Sequence, residues 1–298
     1  MAKITHQELL DAGVHFGHLR KKWNPKMLPY IFGEKKGIHI IDLNRTMDKL
    51  EEAAAAMKSI AKSGRKILFV ATKKQGKEVV KEAAKRVNMP FVTERWLGGM
   101  LTNFSTIRKS VKKMQSIEKM LADGTLDSVT KKEKLVLSRE REKMDRVLGG
   151  ISNMSRVPQA VFLIDITHEH IALKEAQRLN INTFGVVDTN SDPTKVDFAI
   201  PGNDDASKSI FLLTNYIADA IAEGLAERAT DTIEAESAED ENADNQNFDI
   251  KIPGSEDADG KKGGRTRRPA GAGGGQGRSR IGGGGAAGGG GFRGGAKK

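Results

Sequence analysis

The sequence contains no cysteine. Disulfide staples and thiolate metal sites are therefore excluded, and the absence fits a reducing compartment. No run of apolar residues reaches the length that a bilayer span needs. The opening residues, MAKITHQELLDAG, hold no apolar core and no cleavage pattern of a secretory leader, so a cytoplasmic protein is expected. Nucleotide-enzyme signatures are missing too. There is no G-x-x-x-x-G-K-[ST] phosphate loop, and KKQGKE imitates one only superficially. No G-x-G-x-x-G follows the first buried strand, and no G-x-S-x-G nucleophile elbow occurs. Hydrophobic residues are few at 38%, and glycine is high at 33 residues; both biases come largely from the C-terminal end.

What the chain does have is charge, unevenly placed. The net charge is +10. Residues 229–260 carry eleven acids and a single base, Lys251, whereas residues 261–298 carry ten bases and no acid. These two segments cancel, so residues 1–228 hold the whole +10. A basic body points to a polyanionic partner, nucleic acid foremost.

The periodic pattern divides the chain. Thr5 and Glu8 form a capping box for a short helix ended by Gly13. A strand follows at 38–41, and Asn44 is placed to cap the next helix. RKILFVATKK, MPFVTERW, QAVFLIDIT, INTFGVVDTN and VDFAIPGNDD read as strands, the apolar runs among them being buried on both faces. Helices lie between them, and a last helix begins after Asp204 or Asp205. Strands alternating with helices predict a parallel sheet covered on both sides, an α/β fold. The alternation is interrupted at 104–150 by two helices. The first carries a stripe of Ile107, Val111, Met114, Ile117 and Leu121; the second carries Leu137, Met144, Val147 and Leu148. Narrow stripes with charged flanks predict a hairpin packed mainly on itself, turning at Asp123-Gly124. After Arg228 no apolar period remains, and 229–298 are expected to be disordered in isolation.

Three kinds of site compete. The strand ends offer Lys73, His168 and Asp188 for phosphate binding and acid–base chemistry, as a sugar-phosphate or nucleotide enzyme would use them. Polar residues at strand ends also serve simply as helix caps, and that reading is preferred here. For a metal, His15 and His18 are too close to Gly17 to share a helical face, so no H-E-x-x-H arrangement exists. His18 remains a candidate ligand with Asp188, Asp204 and Asp205, around a structural Mg²⁺ or Zn²⁺ ion; capping and turn formation by these aspartates is the simpler account. The third kind draws on more of the chain. Arg20, Lys21, Lys22 and Lys26 surround Trp23, joining phosphate pairing to a stacking surface. Lys73, Lys74, Arg95 and Trp96 extend the theme, as do Arg108, Lys109, Lys112 and Lys113 on the first hairpin helix. Arg265, Arg267 and Arg268 open a Gly/Arg tail of the kind that binds RNA through charge. No small-molecule substrate, membrane or required cofactor is expected.

Several stretches taken together resemble one family. They are AGVHFGH (12–18), WNPKM (23–27), RWLGGMLTN (95–103), TKKE (130–133), THEHI (167–171), VDTNSDP (187–193) and DFAIPGNDDA (197–206). In that order, over roughly residues 5–227, the chain is similar to the bacterial family of small-subunit ribosomal protein two. The resemblance implies a three-layer flavodoxin-like domain from 1–103 and 151–228, with a coiled-coil hairpin inserted at 104–150. An acidic segment, 229–260, and the Gly/Arg tail, 261–298, lie beyond it. The resemblance also implies a noncatalytic constituent of the small ribosomal subunit. Such a protein binds small-subunit ribosomal RNA and neighbouring ribosomal proteins late in assembly, between head and body. It helps anchor the large ribosomal protein that captures messenger RNA.

Overall fold

In a computed structural model the described residues are 4–123 and 130–246, with 232–246 given by backbone course alone. The described residues fall in one unit ending at Phe248. The expected turn at Gly124 and the tail arginines 265, 267 and 268 lie outside the described residues.

The capping box predicted at the start is present: Thr5 accepts from the Glu8 N–H, and Glu8 returns a bond to the Thr5 N–H, opening α1 (His6–Asp11). The segment after it forms a sheet that the sequence pattern did not predict in full. Strands β1 (Phe16–Leu19), β2 (Ile31–Lys35) and β3 (Ile38–Ile41) pair antiparallel in the order β1-β3-β2. Helix α2 (Leu43–Lys62) then starts from Asp42, whose carboxylate accepts from the Asn44 N–H at 3.0 Å. Asp42 is therefore the cap and Asn44 is not.

The parallel sheet is present as expected. Strands β4 (Ile67–Val70), β5 (Phe91–Val92), β6 (Ala160–Ile164), β7 (Asn182–Val187) and β8 (Phe198–Pro201) lie in the order β5-β4-β6-β7-β8. Counted within this sheet alone the order is 2-1-3-4-5, the flavodoxin-like winding. Side-chain alternation sends successive residues to opposite faces. Ile67, Phe69, Phe162, Phe184 and Ile200 face one core with α2, α3 (Lys77–Arg86) and α7 (Ser207–Gln246). Leu68, Val70, Val161 and Leu163 face the other, with α6 (His170–Arg178) and part of α4 (Phe104–Ala122). Each fully buried large apolar side chain contributes roughly 1.5–3 kcal/mol. Two cores on one sheet make the three layers.

α4 and α5 (Lys131–Leu148) pair across the insertion, with Lys113 bridged to Glu140 and Arg141 to Glu118. The predicted α4 stripe is buried at Ile107, Val111, Met114 and Ile117. Its first three members belong to the core under the sheet, so α4 is anchored in the body as well as on its partner. On α5 only Leu148 is buried, while Leu135 and Val136 are exposed.

Helix α7 runs on to Gln246, past residue 228, where the sequence pattern ended it and where the acidic segment was expected to be disordered. Ala and Glu are strong helix formers even without an apolar stripe. The extension is also met by α2, whose Lys62 lies 3.2 Å from Asp231.

Candidate nucleic-acid interface and buried carboxylate cluster

The basic opening segment lies between β1 and β2. Arg20, Lys21 and Lys22 form one exposed 3-10 turn after β1. Among the described residues Arg20 has one loose ion-pair partner, Glu34, at 3.4 Å, and Lys21 and Lys22 have none. Trp23 is half-buried with its ring beside His39, at 5.3 Å between centroids. Lys26 is engaged within the protein, 2.7 Å from Asp192. Burial would raise the Asp192 carboxyl, but Lys26 and Thr194 bring it down to about 2. The same segment also exposes apolar groups that sequence reasoning missed: Leu19, Leu28 and Phe32 are exposed, Phe32 at 80%. Strand alternation carries the signal, since Phe32 is exposed while its β2 neighbours Ile31 and Gly33 are half-buried.

The other predicted RNA contacts divide. Lys74, Arg95, Lys109 and Lys112 are exposed and have no carboxylate partner among the described residues. Lys113 pairs with Glu140, and Arg108 donates to the Ser155 carbonyl at 2.8 Å. Trp96 is a core residue rather than a stacking platform: it is buried, and its indole N–H donates to Glu175 at 3.1 Å. A groove lined in part by Lys66, Lys81, Lys85 and Arg146 adds positive charge beside the hairpin base.

Glu175 organises the RWLGGMLTN loop and was not singled out from the sequence. Its carboxylate accepts from Trp96 Nε1, the N–H groups of Gly99, Leu101 and Thr102, and the Thr102 hydroxyl. Burial would raise this carboxyl, but the donors outweigh burial and hold it below the ordinary glutamate value.

At the switch point between β4 and β6, where ligands enter such sheets, the protein supplies its own counter-ions. Lys73 reaches Asp165 at 3.2 Å, Asp204 at 2.8 Å, and also Asp205. Burial alone would lower the Lys73 ammonium, but these carboxylates hold it above its ordinary value. Lys73 thus faces inward and is already neutralised, which removes it from the predicted RNA contacts and from phosphate binding. Asp165 sits at φ 65, a left-handed position that aspartate tolerates. It accepts from the N–H groups of Thr167 and His168. Glu169, between two exposed histidines, is buried and accepts from Thr72.

The opening segment is held over this crevice by Thr189. Its hydroxyl accepts from the His18 N–H at 2.8 Å, and its carbonyl from the Asn24 N–H at 2.8 Å. Only glycine fits at 17, because a Cβ there would lie 2.6 Å from Thr189 Cγ2. This approach brings His18 Nδ1 to 2.9 Å from Asp188 and Nε2 to 3.4 Å from Asp205. The hydrogen bond to Asp188, opposed by burial, raises the His18 imidazole above its ordinary value. Asp204 is pushed up to about 7 by burial and by the nearby Asp165 and Asp188.

Capping does not explain these aspartates. Before α7 the Asn203 side chain accepts from the N–H groups of Asp205 and Ala206, leaving both aspartate carboxylates for the cluster. Asp192 does shape its turn, accepting from Thr194, and Asp197 is bonded to Thr183. His15 is not brought to His18's partners; burial lowers its imidazole, and its ring lies against Phe16.

The family described as Ribosomal protein S2 matches residues 9–224. The chain is 61% identical over 239 residues to small ribosomal subunit protein uS2 of Cytophaga hutchinsonii, covering 80% of this chain and 94% of the relative. It is 60% identical over 229 residues to uS2 of Christiangramia forsetii, covering 77% of each. Against uS2 of Flavobacterium johnsoniae it is 58% identical over 238 residues, with 80% and 93% covered. A match over most of the chain establishes that the chain belongs to the ribosomal protein S2 family.

Proposed function

We propose that the chain is a structural constituent of the small ribosomal subunit, working in translation in the cytoplasm. It binds small-subunit ribosomal RNA and neighbouring small-subunit proteins and catalyses no reaction. The observation that carries this reading is the identity of about three residues in five with relatives named as small ribosomal subunit protein uS2. The exposed lysines without a carboxylate partner among the described residues, Lys21 and Lys22 in the opening segment and Lys109 and Lys112 on α4, support it, because unneutralised charge is what phosphates attract. So does Lys73, whose internal pairing closes the crevice an α/β enzyme would use. Among the described residues no helix is long and apolar enough to cross a membrane.

The finer parts of the reading follow. The paired helices α4 and α5 act as a coiled-coil arm whose exposed Leu135 and Val136 meet a neighbour. Exposed Leu19, Leu28 and Phe32 of the same segment offer apolar surface for packing on nucleotides or on a protein. The protein helps seat the large ribosomal protein that captures messenger RNA. Arg265, Arg267 and Arg268 open a tail that adds RNA contacts, so deleting 261–298 should flatten the salt dependence of RNA binding. Sucrose-gradient fractionation tests the main reading. The tagged chain should sediment with small subunits; a chain found mostly in the free-protein fractions, as a separate RNA-binding regulator would be, overturns it.

A further inference from the structure

The opening segment covers the carboxyl end of the parallel sheet; the amino end carries a second basic surface. Arg65 and Lys66 immediately precede β4, and Arg156 lies shortly before β6. Lys81 and Lys85 stand one turn apart on α3, and Arg146 is in the last turn of α5. These six cations border two adjoining grooves of about 480 and 580 Å³. The grooves share Lys66, Asn153 and Met154, so they form one channel.

The charge in the channel is largely unspent. Arg65 donates to the Gln159 side-chain oxygen at 2.7 Å and Lys66 to the Asn88 carbonyl at 2.8 Å, both neutral acceptors. Lys81 has only Glu78, at 3.8 Å. Lys85, Arg146 and Arg156 are exposed and have no ion-pair partner among the described residues. Two acids, Glu94 and Asp145, also line the channel, and Glu94 is bridged to Lys77 at 2.9 Å.

The shape adds a second requirement. A Cβ at Gly150 would run into the Phe91 carbonyl, so glycine lets the hairpin base close on the β5 edge and wall the groove. The floor is apolar, with Met89, Pro90 and Met154 buried and Phe91 half-buried. An apolar floor under a cationic rim suits a flat ring joined to phosphate. A duplex keeps its bases inside the stack, whereas an unpaired strand can turn one out onto such a floor.

We infer that this channel is a site for an unpaired RNA strand. The cations track its phosphates, and one base enters the groove between α3 and the hairpin base. This site rests on the RNA-binding reading above and gives it a second place. With basic surfaces at opposite ends of one sheet, a single chain can hold two RNA segments.

The test uses the full chain, with fluorescence anisotropy on a short labelled oligouridylate and on a short RNA duplex. Ultraviolet crosslinks to the oligouridylate are mapped by mass spectrometry. Asn153 is exposed and uncharged, so Asn153→Trp fills the channel without changing its charge. It should weaken oligouridylate binding about tenfold, the worth of one base contact, and leave duplex binding within about twofold. Lys85→Gln with Arg146→Gln should also weaken oligouridylate binding and reduce its salt slope by about 1.4. Parent crosslinks should include the peptides around Phe91 and Met154, and Lys21→Ala with Lys22→Ala should leave those in place. Urea unfolding shows that each variant is folded. The site is overturned by folded channel variants that bind oligouridylate like the parent, by equal loss of strand and duplex binding in Asn153→Trp, or by crosslinks confined to other parts of the chain. The ribosomal reading fails separately, on the sucrose gradient; a parent chain that sediments with small subunits while its channel stays free of crosslinks overturns this site alone.

Discussion

Replacing Glu175 by glutamine keeps the side-chain shape and changes only what its two terminal atoms can accept. The carboxylate takes Trp96 Nε1 at 3.1 Å and Gly99 N at 2.8 Å on one oxygen, and Leu101 N at 3.0 Å and Thr102 N at 3.1 Å on the other. An amide has one accepting oxygen. Whichever way it turns, two N–H donors then face its NH₂ group. Each donor left unsatisfied costs about 1–3 kcal/mol, so Glu175→Gln should destabilise the fold by about 3 kcal/mol. That is a large share of a typical total of about 5–15 kcal/mol. In urea, with a slope of roughly 3 kcal/mol per molar, the midpoint should fall by about 1 M. The effect carries a pH signature. Glu175 is held below its ordinary value of 4.5 in the folded state. Its contribution is therefore complete above that value and is lost as pH falls through the lower folded value. The variant has no such group, so the gap between parent and variant should be full at neutral pH and narrow on acidification. A gap under about 1 kcal/mol at neutral pH, or one that stays constant on acidification, refutes the reasoning.

Other consequences follow from named contacts. Gly17→Ala places a Cβ 2.6 Å from Thr189 Cγ2; it should cost about 1–3 kcal/mol in urea unfolding and speed amide exchange of His18, whose N–H bonds Thr189. Lys73→Ala strips Asp204 and Asp165 of their cation and should lower stability by about 3 kcal/mol, read by urea unfolding. Its effect on the salt slope of RNA binding should be nil. Lys21→Ala with Lys22→Ala should behave the opposite way: stability changes by less than about 0.5 kcal/mol, while the salt slope of RNA binding in filter assays falls by nearly two counterions.

The parts of the fold legible in the sequence were those with a strong repeating pattern. Runs such as ILFV and AVFLI are apolar throughout, and strands buried on both faces must be. The α4 stripe was equally plain. β1 and β2 were harder to read, because each holds only four or five residues, includes a glycine and buries none of them. The cap of α2 was misplaced by two residues, since Asp42 and Asn44 are both cap-forming types, and before α7 Asn203 accepts the turn N–H groups while Asp204 and Asp205 turn elsewhere. In the site, residue type told the chemistry but not the direction of the side chain. Lys73 and Trp96 read as RNA contacts, yet one is spent on buried aspartates and the other on Glu175. Glu175 was not singled out, because its partners are mostly backbone N–H groups more than seventy residues away. The juxtaposition of His18 with Asp188 and Asp204 was conceivable from sequence alone, but only the contact of Gly17 with Thr189 makes it geometrically real.

The central claim is that exposed, unpaired basic residues of the opening segment and α4 dock the body on small-subunit RNA. Lysine acetylation footprinting, comparing the free chain with the same chain in isolated small subunits, measures this residue by residue. Lys21, Lys22, Lys109 and Lys112 should be reactive in the free chain and protected in the subunit, while Lys73, held by three carboxylates, should react slowly in both. Equal reactivity of those four lysines in the two states would contradict the account.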